Sequence, residues 1–380
     1  MKDREHYPWL DWLRFAAAAM VLAVHARGVL LAAYGDLPLH QKGPVTAAAF
    51  AFTRLGNEAV IVFFVLSGFF VAGKGIERLV QGRFSVRDYA VDRITRIYVP
   101  YLPVLFLSLL AAWALETTIT GPVFVSHVFG LQGVTVGSLS FKGNGALWSL
   151  GYEIWFYVLL GAVAAFVQYR NGPALRQGLA TTVLGIALAV FCILYATYLL
   201  CWIVGGFAYF YRPVKARPAP LLAAFGLIVL GTVGNQVLSA SESVNVTQWA
   251  AFLPPRSVCQ LLLAAGIGVL IPQLACLEPR TSVSRSIERT GTWLAAFSYT
   301  LYLTHLPVLR LLSKSWGRQG DLSVASLSTV VAACGLCLVV AWLLYLPLER
   351  QTPKVRRWLR GCLLRPNTAT TVPVAVGIAD

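Results

Sequence analysis

Arg14 and His25 stand eleven residues apart in the segment LDWLRFAAAAMVLAVHARGVLLAA, residues 10–33, where almost every other position is apolar. Eleven helical residues amount to about 16 Å of rise and three turns plus roughly 20°. Both side chains therefore share one face, with the guanidinium near the helix start and the imidazole deeper. A guanidinium is a permanent cation shaped for carboxylate or phosphate oxygens. An imidazole can take and return a proton near neutral pH, or carry a group transiently. The spacing thus sets a fixed cation and a titratable ring one above the other on a single helix face. Asp11, three residues before Arg14, offers that arginine a local partner, and His25 alone could bond a neighbouring helix. The alignment of the pair argues against both plain readings.

Further polar residues interrupt apolar runs. In YAVDRITRIYVP, Arg93 and Arg96 are three residues apart and present two more forks on one face, suited with Arg14 to a phosphate clamp. Asn57 and Glu58 open one run, Glu153 lies inside ALWSLGYEIWFYVLL, and His305 precedes Pro307, a kink site, in FSYTLYLTHLPV. Ionisable groups at membrane depth cost several kcal/mol unless paired or hydrated. Asn57, Glu58, Glu153 and His305 fall at a similar depth and point to a hydrated cavity. No metal-ligand pattern is expected.

The elements that carry these residues are membrane helices. Of 380 residues, 57% are hydrophobic and 12% charged, and the mean hydropathy is +0.68, outside the range of soluble domains. The pattern predicts an all-α, polytopic helical bundle of about ten spans, near 9–33, 56–73, 97–116, 147–168, 177–194, 196–211, 219–238, 256–275, 291–312 and 324–347. The fifth and sixth have little turn signal between them, so nine spans is the fallback. Ten spans put most lysines and arginines, including Lys2, Arg4, Lys74, Arg280 and Arg365, in inner loops and both termini in the cytoplasm. The net charge of +15 is explained by this dispersal rather than by nucleic-acid binding. An uncleaved first helix is favoured over a signal peptide because apolar sequence continues to Ala33.

Residues 1–350 are expected to form one membrane domain and 351–380 a tail, basic at first and disordered after Pro366. Residues 117–146 are long for a connector and fit a plain loop or a re-entrant lid. Cys334 and Cys337 read as small packing residues, and no structural disulfide is expected.

Several motifs together resemble the acyltransferase type 3 family, integral membrane O-acetyltransferases of surface polysaccharides. LDWLRFAAAAMVLAVH is similar to its opening pattern, with Arg14 and His25 in register. NEAVIVFFVLSGFF, with Ser67 and Gly68, resembles its second helix. DRITRIYVPYLPV, LWSLGYEIWFY with Trp148 and Ser149, FSYTLYLTHLPV with Tyr302 and His305, and PLERQTPK match later segments in order. Thr304 departs from a frequent tryptophan, and SLGYE is a looser match.

The resemblance implies transfer of an acetyl or other acyl group from cytoplasmic acyl-CoA, a co-substrate rather than a bound cofactor, to a hydroxyl of a carbohydrate or lipid-linked glycan at the cytoplasmic membrane. Arg14, Arg93 and Arg96 would hold CoA phosphates, His25 would be general base or acyl carrier with Glu153 as catalytic partner, and Glu58, Ser67, Trp148, Ser149, Tyr302 and His305 would support the site or the acceptor. A transporter of lipid-linked sugars or acyl groups is the alternative, although no inverted repeat is visible. The oligomeric state stays open.

Overall fold

The computed structural model describes residues 6–134, 141–241, 255–278 and 281–363. Lys2, Arg4, Arg280, Arg365, the tail beyond residue 363 and part of the long segment 117–146 lie outside these. Among the described residues the regular structure is helical, apart from one isolated bridge between Leu31 and Gln319.

Helix α1 (Pro8–Leu30) begins on a proline, which has no amide to leave unpaired in the first turn. A short α2 (Pro44–Phe52) leads into α3 (Gly56–Ser67), a π-helical stretch Gly68–Gly73, and α4 (Lys74–Val80). Ser85 caps α5 (Val86–Ala114) by accepting from the Asp88 amide. A small helix α6 (Gly121–Val128) precedes α7 (Trp148–Tyr169), α8 (Ala174–Ile193), α9 (Ala196–Ala208), α10 (Pro218–Ser241) and α11 (Pro255–Ala275). Thr281 and Ser284 form a capping box at the start of α12 (Ser282–Ala296), and Ser323 and Ser326 form another at α14 (Val324–Tyr345). Between these two lies α13 (Ser298–Trp316), and α15 (Thr352–Leu363) closes the described chain.

Every expected span but the ninth overlaps one helical segment, and eight helical segments are long and apolar enough to cross a membrane. The chain is a multi-pass helical membrane protein. Two of the expected spans fall outside the eight: the helix of the sixth, α9, has only 13 residues, and that of the ninth, α13, carries His305, Arg310 and Lys314. The uncertain junction between the fifth and sixth spans is a real break, because Leu194 and Tyr195 are extended. The ninth expected span, 291–312, needs correction. Its first residues belong to α12, a separate amphipathic helix, and Phe297 leaves helical geometry between α12 and α13.

The helices run between two ends. At the basic end, Lys74 lies over the Tyr7 ring, Trp12 donates to the Ile287 carbonyl, and Gln168 donates to the Phe84 carbonyl. The basic stretch after the last span is the ordered helix α15, whose Arg356 and Arg360 pair with Asp92 and Asp88 of α5. At the opposite end, Gln319 joins Leu30 and Ala32, and Lys314 pairs with Glu116. There the described part of segment 117–146 folds onto the bundle: Tyr98 and Tyr101 donate to the Val128 and His127 carbonyls, and His127 is buried.

The core packs most closely where α9 crosses the π-helical stretch. A Cβ on Gly68 would fall 1.9 Å from the Trp202 carbonyl oxygen, and one on Gly205 would fall 2.0 Å from that of Val65. Only glycine permits this approach, which lets a short helix seal the bundle. All seven cysteines are free, with Cys337 buried between α13 and α14, where its thiol meets the His305 carbonyl at 3.7 Å.

Candidate active site

A cavity of about 500 Å³ runs between α1, α3, α5, α7 and α13, from His6 and Asp11 at the basic end to Phe63 and Tyr302 in the bundle. Arg14, Arg93 and Arg96 line it, as do Ser67, Ser149, Glu153, Tyr299 and Glu349. The structure therefore brings Arg14 of α1 into one space with Arg93 and Arg96 of α5, 79 and 82 residues further along the chain. Ser67 Oγ, Tyr299 Oη and Arg93 Nε are buried there without hydrogen-bond partners. Buried polar atoms are normally paired, so these three are suited to a bound polar ligand.

The three arginines are not equivalent. Arg96 Nη1 lies 2.6 Å from Glu349 Oε1, while Glu349 Oε2 accepts from the Thr300 amide at 3.2 Å and the Thr300 hydroxyl at 2.8 Å. This buried carboxylate fixes Arg96. Arg14 has a longer 3.4 Å contact with Asp11 and lies over the Phe70 ring. Arg93 is stacked over Tyr89 and Tyr157, at 5.9 and 5.3 Å, with its Nε unpartnered. Glu349 was legible as the carboxylate of PLERQTPK, but its arginine partner lies 253 residues away and no local pattern joins them.

Arg93, Phe70 and Val71 also border a second, wider cavity of about 1070 Å³ at the basic end. Lys74, Arg78, Arg83, Arg212, Arg356 and Arg360 line it against Glu77, Asp88 and Asp92. Those carboxylates are engaged by Arg212, Arg356 and Arg360, so the space has a net positive lining. A basic vestibule opens beside a narrow polar cavity, with Arg93 at their boundary.

Beyond Tyr302, one turn along α13, stands His305. Its Nδ1 is 3.0 Å from the Leu301 carbonyl oxygen and its Nε2 is 2.9 Å from Nδ1 of His25. A carbonyl only accepts, so in neutral rings Nδ1 of His305 carries the proton, its Nε2 accepts, and Nδ1 of His25 donates. That leaves the lone pair of His25 on Nε2, the arrangement a general base requires. His305 is 1% exposed whereas His25 keeps accessible surface.

Pro307 lacks the amide that would bond the Leu303 carbonyl. Asn144 supplies a donor there at 2.8 Å and a second to Ser108 Oγ at 3.0 Å. This fully buried amide supports the histidine turn, and sequence reasoning missed it because Asn144 sits in an unremarkable Gly-Asn-Gly stretch. Tyr302 donates to the Ala146 carbonyl at 2.6 Å and meets Ser149 Oγ at 2.6 Å, while its ring packs on Phe63 at 5.9 Å. These residues form the wall between cavity and histidine pair.

The remaining expected site residues are dispersed. Glu153 accepts from Tyr157 at 2.5 Å inside the first cavity, and the partner of His25 is His305 instead. Glu58 is buried elsewhere, accepting from Asn235 at 2.6 Å and Gln236 at 2.7 Å on α10. Asn57 bonds Tyr198 and Gln260. The four groups expected at one depth thus do not share a cavity, because helix rotation points them to different neighbours. Trp148 packs on Tyr152 and Tyr198 and is not part of the cavity lining.

A multi-pass helical membrane protein with an internal cavity lined by three arginines, and a hydrogen-bonded histidine pair behind the wall at its inner end, is the class these observations define. A family model described as an acyltransferase domain matches residues 7–346, and the chain belongs to that type 3 acyltransferase family. It is similar to Acyltransferase MdmB of Streptomyces mycarofaciens, with 26% identity over 403 aligned residues covering 96% of each chain. It is also similar to an uncharacterized protein of Haemophilus influenzae, with 28% identity over 173 residues, 41% of this chain and 64% of that one. No solved structure matches.

Proposed function

We propose that the protein moves an acetyl or other acyl group from cytoplasmic acyl-CoA to a hydroxyl of an envelope glycan, an exported glycan or a glycosylated small molecule, at the cytoplasmic membrane. The basic vestibule and Arg93, with Arg14, would hold the donor phosphates, and the thin pantetheine arm would extend through the cavity toward Tyr302. Ser67 Oγ and Tyr299 Oη would bond its amides. Arg96, fixed by Glu349, would shape the passage and supply a positive field.

Nε2 of His25 would remove the proton of the acceptor hydroxyl as its oxygen attacks the thioester carbonyl. The new C–O bond forms a tetrahedral intermediate, which collapses with cleavage of the C–S bond. The departing thiolate then recovers the proton from His25. His305 holds the reactive tautomer, as a positioning residue.

The observation that carries this reading is the continuity from a basic vestibule, through a cavity with three unpartnered polar groups, to the wall beside His25 and His305. The test follows labelled acetyl from acetyl-CoA onto envelope glycans in membranes containing wild type or His25→Ala. Label that depends on His25 is expected. Equal labelling by both, or glycan flux that needs no acyl-CoA, would replace the enzyme with a transporter.

A further inference from the structure

A third cavity of about 1080 Å³ lies between α5, α7 and α8, and the proposed reaction makes no use of it. It is open to the surroundings of the bundle: Ile94, Leu179 and Val183, which help to line it, are 53, 58 and 42% exposed. The lining includes the small residues Gly161, Ala162, Ala165 and Ala180. Its charges are confined to arginines at the basic end, Arg87, Arg93 and Arg176, and its lining includes no carboxylate. Among the described residues neither Arg87 nor Arg176 is in an ion pair with a carboxylate.

We infer that this groove is a binding site for an anionic membrane phospholipid. The phosphate sits on Arg87 and Arg176, and one acyl chain descends along Ile94, Ile97, Val158 and Leu179. From Arg87 to Leu102 is fifteen residues of α5, about 22 Å of rise, which accommodates a chain spanning one leaflet. Basic pockets between membrane helices are suited to such headgroups because electrostatic attraction and apolar burial act together. A soluble anion would use the arginines alone, and an uncharged lipid the groove alone.

The site also adjoins the active cavity. Arg93 and Tyr157 line both spaces, and the Arg93 guanidinium rests on Tyr157 and Tyr89. A lipid phosphate would therefore sit next to the arginine at the boundary of the donor passage. The binding inference itself does not depend on the proposed acyl transfer.

The test is native mass spectrometry of the full chain in mild detergent, titrated with phosphatidylglycerol or phosphatidylcholine of identical chains and without acyl-CoA. The wild type should take up one phosphatidylglycerol about tenfold more tightly than phosphatidylcholine. Arg87→Gln combined with Arg176→Gln should remove that preference, and Ala165→Phe should weaken uptake of both lipids. Equal affinity of wild type for the two lipids would overturn the inference, as would an unchanged preference in the double arginine variant. Dimers that form through this face without bound phosphatidylglycerol would assign it to a second copy and also overturn it. Should the double variant fold poorly, a wild-type melting temperature no higher in phosphatidylglycerol nanodiscs than in phosphatidylcholine ones decides against the site.

Discussion

His25 and His305 are joined by a 2.9 Å hydrogen bond between rings that lie 280 residues apart in the chain. Because the Leu301 carbonyl fixes the proton on Nδ1 of His305, the bond directs the lone pair of His25 to Nε2. The hydrogen bond sets tautomer and orientation together.

His305→Ala should consequently lower kcat by about 100-fold, at the lower end of the effect of a positioned acid or base, with donor KM little changed. His305→Gln, whose amide oxygen can accept from His25, should recover part of the loss. Steady-state kinetics of purified protein provide the check, and equal rates for the Ala and Gln variants would reduce His305 to packing. His25→Ala should be at least as damaging as His305→Ala.

Arg93→Gln is expected to raise donor KM by about tenfold with a smaller effect on kcat, because removing a charge-assisted contact is worth about 1.5 kcal/mol. Arg14→Gln should have a similar but smaller effect, since Asp11 already draws on its charge. KM values for acyl-CoA at low and high salt test this, and the difference between variant and wild type should narrow as salt screens the vestibule.

Glu349→Ala should destabilise the fold rather than selectively change donor affinity. It strands Arg96 and removes the acceptor for two Thr300 donors. Breaking a buried pair costs about 3 to 5 kcal/mol, and the lower figure applies because the Arg96 side chain is 37% exposed. A melting temperature in detergent measures the effect. A variant as stable as wild type would show that this pair does not hold α5 to the end of the last span.

Gly68→Ala and Gly205→Ala should each lower the folded yield, because the added methyl meets a backbone oxygen at about 2 Å. Overpacking that cannot relax costs about 3 kcal/mol or more. Gly185→Ala, with nothing within 4 Å, should be neutral or slightly stabilising as an ordinary helix substitution. Monodispersity on size-exclusion chromatography separates the two outcomes.

What the amino-acid sequence determined by itself follows from local rules. Apolar runs matched to bilayer thickness located the helices, and the 3.6-residue period put Arg14 and His25 on one face. The same local rules misjudged residues 291–296, where polar α12 adjoins α13 with no strong break signal. They also grouped Asn57, Glu58, Glu153 and His305 by depth, although depth does not set the direction in which a side chain points. Tertiary structure decided the partners: His305 for His25, Glu349 for Arg96, Asn144 for the carbonyl freed by Pro307, and α9 against Gly68. Each is a contact of a few ångströms between residues far apart in the chain. Its formation depends on helix rotation and packing, which no short stretch of sequence specifies.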